Sequence, residues 1–220
     1  GTALEVEFHE FSVQPDIRTP ANAYTIGNSS EIREGDFVEV EILQMHFHTP
    51  SEHTIDGLHA PGEIHIVTRV KPGQSDYCDA NGDCLAVFAI LLKYEQNGET
   101  GNGMIRKLFD ALPEDEGVEN GVEYESELNL NALLPSRLDY YTYLGSLTTP
   151  PCTEAVTWYV FAEMIPVETS TIELHETMVA FTSGEDCVHT YLNVCFPPRE
   201  KTNNRLIQPL FGRNVSYVQM

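Results

Sequence analysis

Apolar and polar residues alternate along much of this 220-residue chain, the period-2 pattern of strands with one buried face. Strands are expected at Leu4 to Glu10, Phe37 to His48, Glu63 to Lys71, Leu85 to Glu95 and Ala155 to Glu163. The run Leu85 to Tyr94, LAVFAILLKY, is nearly all apolar, as befits a central strand covered on both faces. Two segments follow a helical period instead: about Met104 to Ala111, ended by Leu112-Pro113, and about Val167 to Phe181. Their apolar residues predict packing onto the sheet as peripheral cover. Pro113 to Tyr124 is expected to be an acidic surface loop, and no repeat or linker divides the chain. The pattern predicts one domain over residues 1–220, mainly β with a few helices, which is long enough for a single core.

Within the alternation, Gln44 to Val67 carries the chemistry. In an extended strand, residues i and i+2 share a face, so His46 and His48 project together. A second strand from about Gly62 to Val70 carries His65, and pairing of the two strands brings three imidazoles toward one point. Three neutral imidazoles with a fourth position open form the donor set of a catalytic zinc site. Gln44 and Glu63 stand two residues before His46 and His65, on the same faces, where they can fix the ligands' tautomers. A His-x-His pair is also met as half-exposed or satisfied core histidine, and spacing alone leaves both readings open.

Charge excludes several classes of partner. Acidic residues outnumber basic ones 34 to 12, giving a net charge of −22, and only Lys71, Lys93, Lys107 and Lys201 are lysines. Nucleic acid and anionic membranes are repelled by such a field, and no basic stripe opposes it. The surface suits either high salt, where self-repulsion is screened, or an ordinary acidic soluble protein. No apolar run is long enough to span a membrane. The opening GTALEVEFHEF reads as a strand and not as a signal peptide; either a leader was removed or the chain begins inside a larger precursor.

Five cysteines point to an oxidising compartment, secreted, extracellular or periplasmic. Cys78 and Cys84 flank the turn-rich Asp79 to Asp83, and Cys187 and Cys195 are close in sequence, so each pair is a candidate disulfide. Cys152 is left for a partner outside this chain or as a free thiol. Asn28-Ser29-Ser30 and Asn214-Val215-Ser216 are glycosylation sequons, in keeping with secretion and a glycoprotein.

The second informative stretch is Tyr140 to Trp158, YYTYLGSLTTPPCTEAVTW. Two successive prolines require a defined turn over Ser146 to Pro151, beside Leu147-Thr148-Thr149. A threonine hydroxyl here can accept a hydrogen bond from a metal-bound hydroxide while donating its own hydrogen bond to a carboxylate such as Glu52.

HFHTPSEHT, then EIHIV, then YYTYLGSLTTPP and VTW, then NNRLIQPL, resemble an α-class carbonic anhydrase, in the manner of its secreted, algal and bacterial-like members. The resemblance runs in order from near residue 1 to about Arg213. It implies a single domain built on a large twisted, mostly antiparallel sheet with short helices outside. It implies reversible hydration of carbon dioxide to bicarbonate and a proton by a zinc-bound hydroxide, with sulfonamides as expected inhibitors. Position by position, His46, His48 and His65 match the zinc ligands. Gln44 and Glu63 match side chains that hold ligands, and Asn203 the residue whose backbone carbonyl orients another. Thr148 and Glu52 match the catalytic gatekeeping pair, with His53 and Tyr143 in its hydrogen-bonded surround. Val67, Val87, Leu147, Val156 and Trp158 match the apolar wall for carbon dioxide, and Thr149 lies at its mouth.

Three departures from the family pattern follow. Thr2 occupies the position where fast members carry a proton-shuttling histidine, and threonine does not titrate near neutrality. The family's several dozen preceding residues are absent here, so the chain is a fragment, a processed piece or a shortened member. Cys152 falls where secreted relatives bond to a cysteine in that preceding segment, which implies a disulfide-linked N-terminal fragment as a partner. Two other functions compete: an inactive relative serving as a binding or matrix protein, and a zinc hydrolase of another substrate such as an ester.

Overall fold

Two antiparallel strands, β4 (Phe37–His48) and β7 (Gly62–Val70), form the spine of the sheet in this computed structural model. The structure describes residues 37–70, 72–73, 75–96, 100–110, 130–182 and 204–220, together with short strands at 4–7, 12–15, 24–27, 119–122, 189–191 and 194–196. For those short strands, and for 37–39, 130–131 and 177–182, the backbone alone is described. Beyond β7 come β8 (Leu85–Tyr94), β11 (Val156–Phe161), β10 (Tyr140–Gly145) and β15 (Ser216–Val218). On the other side of β4 lie β2 (Ser12–Pro15), β1 (Leu4–Glu7) and β9 (Glu119–Val122), with β3 (Tyr24–Gly27) also paired to β4. β12 (Ile165–Val167) adds to β8, and two small hairpins stand apart, β5 (Thr54–Ile55) with β6 (Leu58–His59) and β13 (His189–Tyr191) with β14 (Val194–Phe196). Pairing is antiparallel except where β11 and β12 run parallel to β8. The strand-rich chain with few helices is what the alternation predicts, the mostly antiparallel sheet is what the family resemblance implies, and the apolar β8 lies between β7 and β11.

Each face of the sheet has its own core. Met45, Phe47, Ile64, Ile66, Ile90 and Leu92 point to one face, where α1 (Gly103–Asp110) and α2 (Thr169–Thr182) cover them with Ile105, Leu108, Phe109 and Ile172. Asn102 starts α1, its Oδ1 accepting from the backbone N–H of Met104 and Ile105 as an N-cap. Val67, Val87, Ala89, Leu91, Val156 and Trp158 occupy the opposite face. A bulge at Leu43 divides β4: Ile42 is opposite Thr68, yet Gln44 is opposite Val67. The extra residue switches parity, so Ile42 and Met45 both pack with the helix-covered core while Leu43 joins the other.

Several boundaries differ from those the pattern predicts. The acidic segment Pro113 to Tyr124 is not loop throughout: Glu119–Val122 pairs with β1 at the sheet edge, Leu4 opposite Val122. An edge strand is held by backbone hydrogen bonds and needs no apolar alternation, so its polar sequence carries no strand signal. Val167 does not open the helix, because Ile165–Val167 is drawn into parallel pairing with Leu92 to Tyr94. No described helix is long and apolar enough to cross a membrane.

A buried polar contact lies within the helix-covered core. His175 of α2, 2% exposed, hydrogen-bonds through Nδ1 with the Thr49 hydroxyl, and its ring meets Phe47 and Phe109. Burial pushes its pKa down to about 4. The folded value lies below the unfolded one near 6.5, so this group's stability is complete above pH 6.5 and is lost as pH falls toward 4. The unfolding free energy of the parent relative to His175→Asn is expected to drop by about 3 kcal/mol between pH 7 and pH 4. Urea unfolding at stepped pH reads the difference, and a flat difference would contradict a neutral buried imidazole.

Candidate metal centre

Strand register gathers the histidines. His46 stands directly opposite His65, and His48 opposite Glu63, so all four side chains share the face away from the helices. The three rings lie 4.6 to 5.1 Å apart between centroids. One ring nitrogen from each falls within 4.8 Å of the others. His48 and His65 are buried, and His46 is partly covered.

Neighbouring acceptors set the tautomers. His46 Nδ1 donates to Gln44 Oε1 at 2.6 Å, which turns the lone pair of Nε2 inward. His65 Nε2 donates to Glu63 Oε1 at 2.9 Å and leaves Nδ1 facing the centre. Glu63 is fully buried, and its oxygens also accept from the backbone N–H groups of Glu52 and His53 and from His53 Nδ1. Burial alone would raise its pKa, but the His53 and His65 partners outweigh it and hold the carboxyl well below its ordinary value. His53 is pulled down by burial, yet the charge and hydrogen bond of Glu63 leave it above its usual value. His53 Nε2 meets the Tyr143 hydroxyl at 2.7 Å, and Tyr143, raised by burial and then by Glu63, stays protonated.

The donors fit a borderline cation such as zinc. His46 Nε2 is buried and makes no hydrogen bond, an arrangement that costs free energy unless a ligand takes the lone pair. Burial, followed by the neighbouring His48 and His65, lowers the His46 pKa well below its ordinary value and keeps the imidazole neutral, as a metal ligand must be. A carboxylate stands close by: Glu52 Oε2 lies 3.6 Å from His48 Nε2 and 3.9 Å from His65 Nδ1.

The direct contact expected between Thr148 and Glu52 is not made. Glu52 Oε1 accepts from the Arg205 backbone N–H at 2.5 Å, while Oε2 is turned toward the imidazoles and has no hydrogen-bond partner. Both residues line one cavity of ≈ 390 Å³, together with His53, Tyr143, Arg205 and Arg213. Val67, Val87, Val156 and Trp158 form one buried cluster beside His65, with Leu147 packed against it. Thr149 is half-buried, and its carbonyl accepts from Cys152 N–H. The loop is pinned by Trp158 Nε1 donating to Ser146 O and by Tyr77 Oη donating to Gly145 O. A Cβ at Gly145 would lie 2.9 Å from both Trp158 Cδ1 and Tyr143 Cε2, so only glycine allows this approach.

Cys78 and Cys84 are bonded, and Cys152 is a half-buried free cysteine. Asn203, Thr2, Asn28 and Cys187 lie outside the described residues, as does the side chain of Cys195. Sequence reasoning missed two contributors. Arg205 acts through its backbone, which leaves no side-chain signature. Ser51 is fully buried, donating to His53 O and accepting from Ala60 N–H; its place inside TPSEH was the available signal.

Comparison with known proteins follows the same lines. Residues 4–219 match the family described as eukaryotic-type carbonic anhydrase. A carbonic anhydrase of Dunaliella salina is 36% identical over 182 residues, 79% of this chain but only 28% of that protein's length. The solved structure of a halotolerant carbonic anhydrase from Dunaliella salina has a TM-score of 0.67 at 32% identity, covering 98% of this chain and 72% of that one. The α-carbonic anhydrase of Thermovibrio ammonificans, solved with the inhibitor sulfanilamide, has a TM-score of 0.60 at 28% identity, covering 90% and 76%.

Gln44→Ala removes the acceptor on His46 Nδ1 and is expected to weaken metal affinity about 10- to 100-fold with the fold intact. Chelator competition with circular dichroism as the control measures this. Parental affinity in the variant would show that Gln44 does not hold its ligand.

Proposed function

The chain belongs to the eukaryotic-type carbonic anhydrase family, and from that membership we propose that it hydrates carbon dioxide reversibly to bicarbonate and a proton. The observation that carries the reading is the buried His46 Nε2, aimed without a hydrogen bond at the point where His48 and His65 converge. His46, His48 and His65 hold a zinc ion in this reading. When bound, zinc supplies Lewis acidity that makes water a nucleophile near pH 7.

The chain's own residues do the rest. Gln44 and Glu63 orient His46 and His65, and Asn203 is assigned to His48 through its backbone carbonyl. Thr148 orients the attacking oxygen by accepting its hydrogen bond, and Glu52 Oε2, which has no hydrogen-bond partner, is available to receive the Thr148 proton. His53 and Tyr143 brace Glu63 and hence His65. Val67, Val87, Leu147, Val156 and Trp158 offer a dry wall to a small neutral molecule, with Thr149 at its mouth. Bland packing of these residues and a substrate wall are compatible, because the wall adjoins the polar centre.

The wider reading keeps residues 1–220 as one domain, supported by the family match from 4 to 219. The bonded Cys78–Cys84 pair supports an oxidising, secreted setting, and exposed Asn214 a glycosylation site. Cys152 is assigned to a disulfide with a preceding fragment. A charge of −22 and the halotolerant relative support work in concentrated salt. Sulfonamides are expected to inhibit, as sulfanilamide does for the Thermovibrio enzyme. An inactive binding relative would have no use for three converging imidazoles with their acceptors in place.

Stopped-flow carbon dioxide hydration on metal-analysed protein tests the proposal. Zinc-stoichiometric, sulfonamide-blocked turnover is expected, and Thr148→Ala is expected to lower kcat/KM by about 10²-fold or more. Zinc uptake without turnover would favour the inactive relative. With Thr2 at the shuttle position, turnover is also expected to rise with imidazole buffer concentration, and a rate insensitive to buffer would count against that assignment.

A further inference from the structure

We propose that His175 is a positioning residue for the metal centre: through the Thr49 hydroxyl, it fixes the segment that carries His48 and Glu52. The inference rests on the reading of His48 as a metal ligand.

The centre lies on one face of the sheet and Ile172 and His175 of α2 on the other, so neither can touch a bound ion. Yet α2 meets β4 on both sides of His48. Phe47, the residue before, has its ring 6.3 Å from that of His175, and Thr49, the residue after, shares a hydrogen bond with it. Ile172, one turn earlier on the same side of α2, presses on the junction of the two ligand strands. A Cβ at Gly62 would sit 3.1 Å from Ile172 Cδ1 and 3.2 Å from the His48 carbonyl oxygen, so helix, β7 and β4 meet at that point. Three residues after Thr49 comes Glu52, which faces His48 and His65. The intervening segment is held by Ser51 N–H donating to Ala60 O.

Packing alone gives no reason for a histidine at 175. Phe47, Phe109 and Ile172 make an apolar niche, and a phenylalanine or leucine there would avoid the cost of burying an imidazole. The Thr49 hydroxyl, itself buried at 2% exposure, supplies the reason. A hydrogen bond has direction where apolar contact has none, so the pair fixes where the chain turns away from His48.

The test separates this role from simple satisfaction of two buried polar groups. Four variants are compared with the parent, Thr49→Val, His175→Phe, their double variant and His175→Asn, which can keep a polar atom near the Nδ1 position. Zinc affinity is measured by chelator competition and the melting temperature on metal-free protein. Thr49→Val and His175→Phe are each expected to weaken zinc about tenfold or more, while His175→Asn stays within about threefold of the parent. The double variant removes both ends of this hydrogen bond together, so it is expected to recover melting temperature relative to the single variants but not affinity. The visible spectrum of the cobalt-substituted double variant is expected to shift with the ligand geometry. Parental zinc affinity in the double variant, or affinity that simply tracks melting temperature across the set, would overturn the proposal. If His175→Phe does not fold, Thr49→Val carries the same comparison. A parent that takes up no zinc would remove the reading of the triad itself, an outcome distinct from variants that bind as the parent does.

Discussion

Everything at the centre depends on the register of β4 against β7. Opposite His46 stands His65, and opposite His48 stands Glu63. A slip of one residue would send His65 into the core under the helices and bring Ile64 among the imidazoles. The apolar halves of the same strands hold the register: Met45, Phe47, Ile64 and Ile66 are buried on the other face against α1 and α2. The Leu43 bulge sits just ahead of the chemistry and resets the parity of β4. Helix packing on one face therefore helps to hold the register that gathers the imidazoles on the other.

Burying so much polarity on the open face requires mutual satisfaction. Glu63 has no exposure and would be untenable as a lone carboxylate, but two backbone N–H groups and two imidazoles converge on it. Through His53 the set continues to Tyr143, whose ring also carries Arg213 at 5.6 Å. Against this full pairing, the atoms left without hydrogen bonds stand out. His46 Nε2 and Glu52 Oε2 both border the space a cation would occupy. Ligand binding can offset the cost of these two atoms, whereas the Tyr140 hydroxyl, also buried without a hydrogen bond, lies in the other core.

How much of this could be read from the sequence follows from the range over which each constraint acts. The histidine triad was legible because strands repeat every two residues, which puts His46 and His48 with Gln44 on one face of their strand and His65 with Glu63 on one face of theirs, leaving only the pairing of the two strands to be supplied. Most strands were legible for the same reason, and the all-apolar β8 identified itself as central. The β9 edge was not, since backbone pairing leaves no mark on side-chain pattern. Neither was the bulge, because one inserted residue looks like ordinary variation in a strand of mixed composition. Arg205 was hidden because its amide acts on Glu52, and His175 because a single histidine on a weakly patterned helix reads as surface. The Thr148–Glu52 pair, inferred from resemblance, is only juxtaposed across a cavity in this structure.

The restraints on the centre share one property. The donors themselves span a short stretch, from His46 to His65, and one hairpin-like pairing brings them together. Their restraints come from far along the chain: Tyr143 through His53, Trp158 against His65, His175 through Thr49, and Arg205 on Glu52. Local pattern can specify which atoms bind a metal, but it cannot specify how tightly those atoms are held in place. That depends on contacts closed only when the whole sheet and its helices assemble, since each contact alone would not offset the entropy of ordering it. A site of this kind is consequently more legible in composition than in precision.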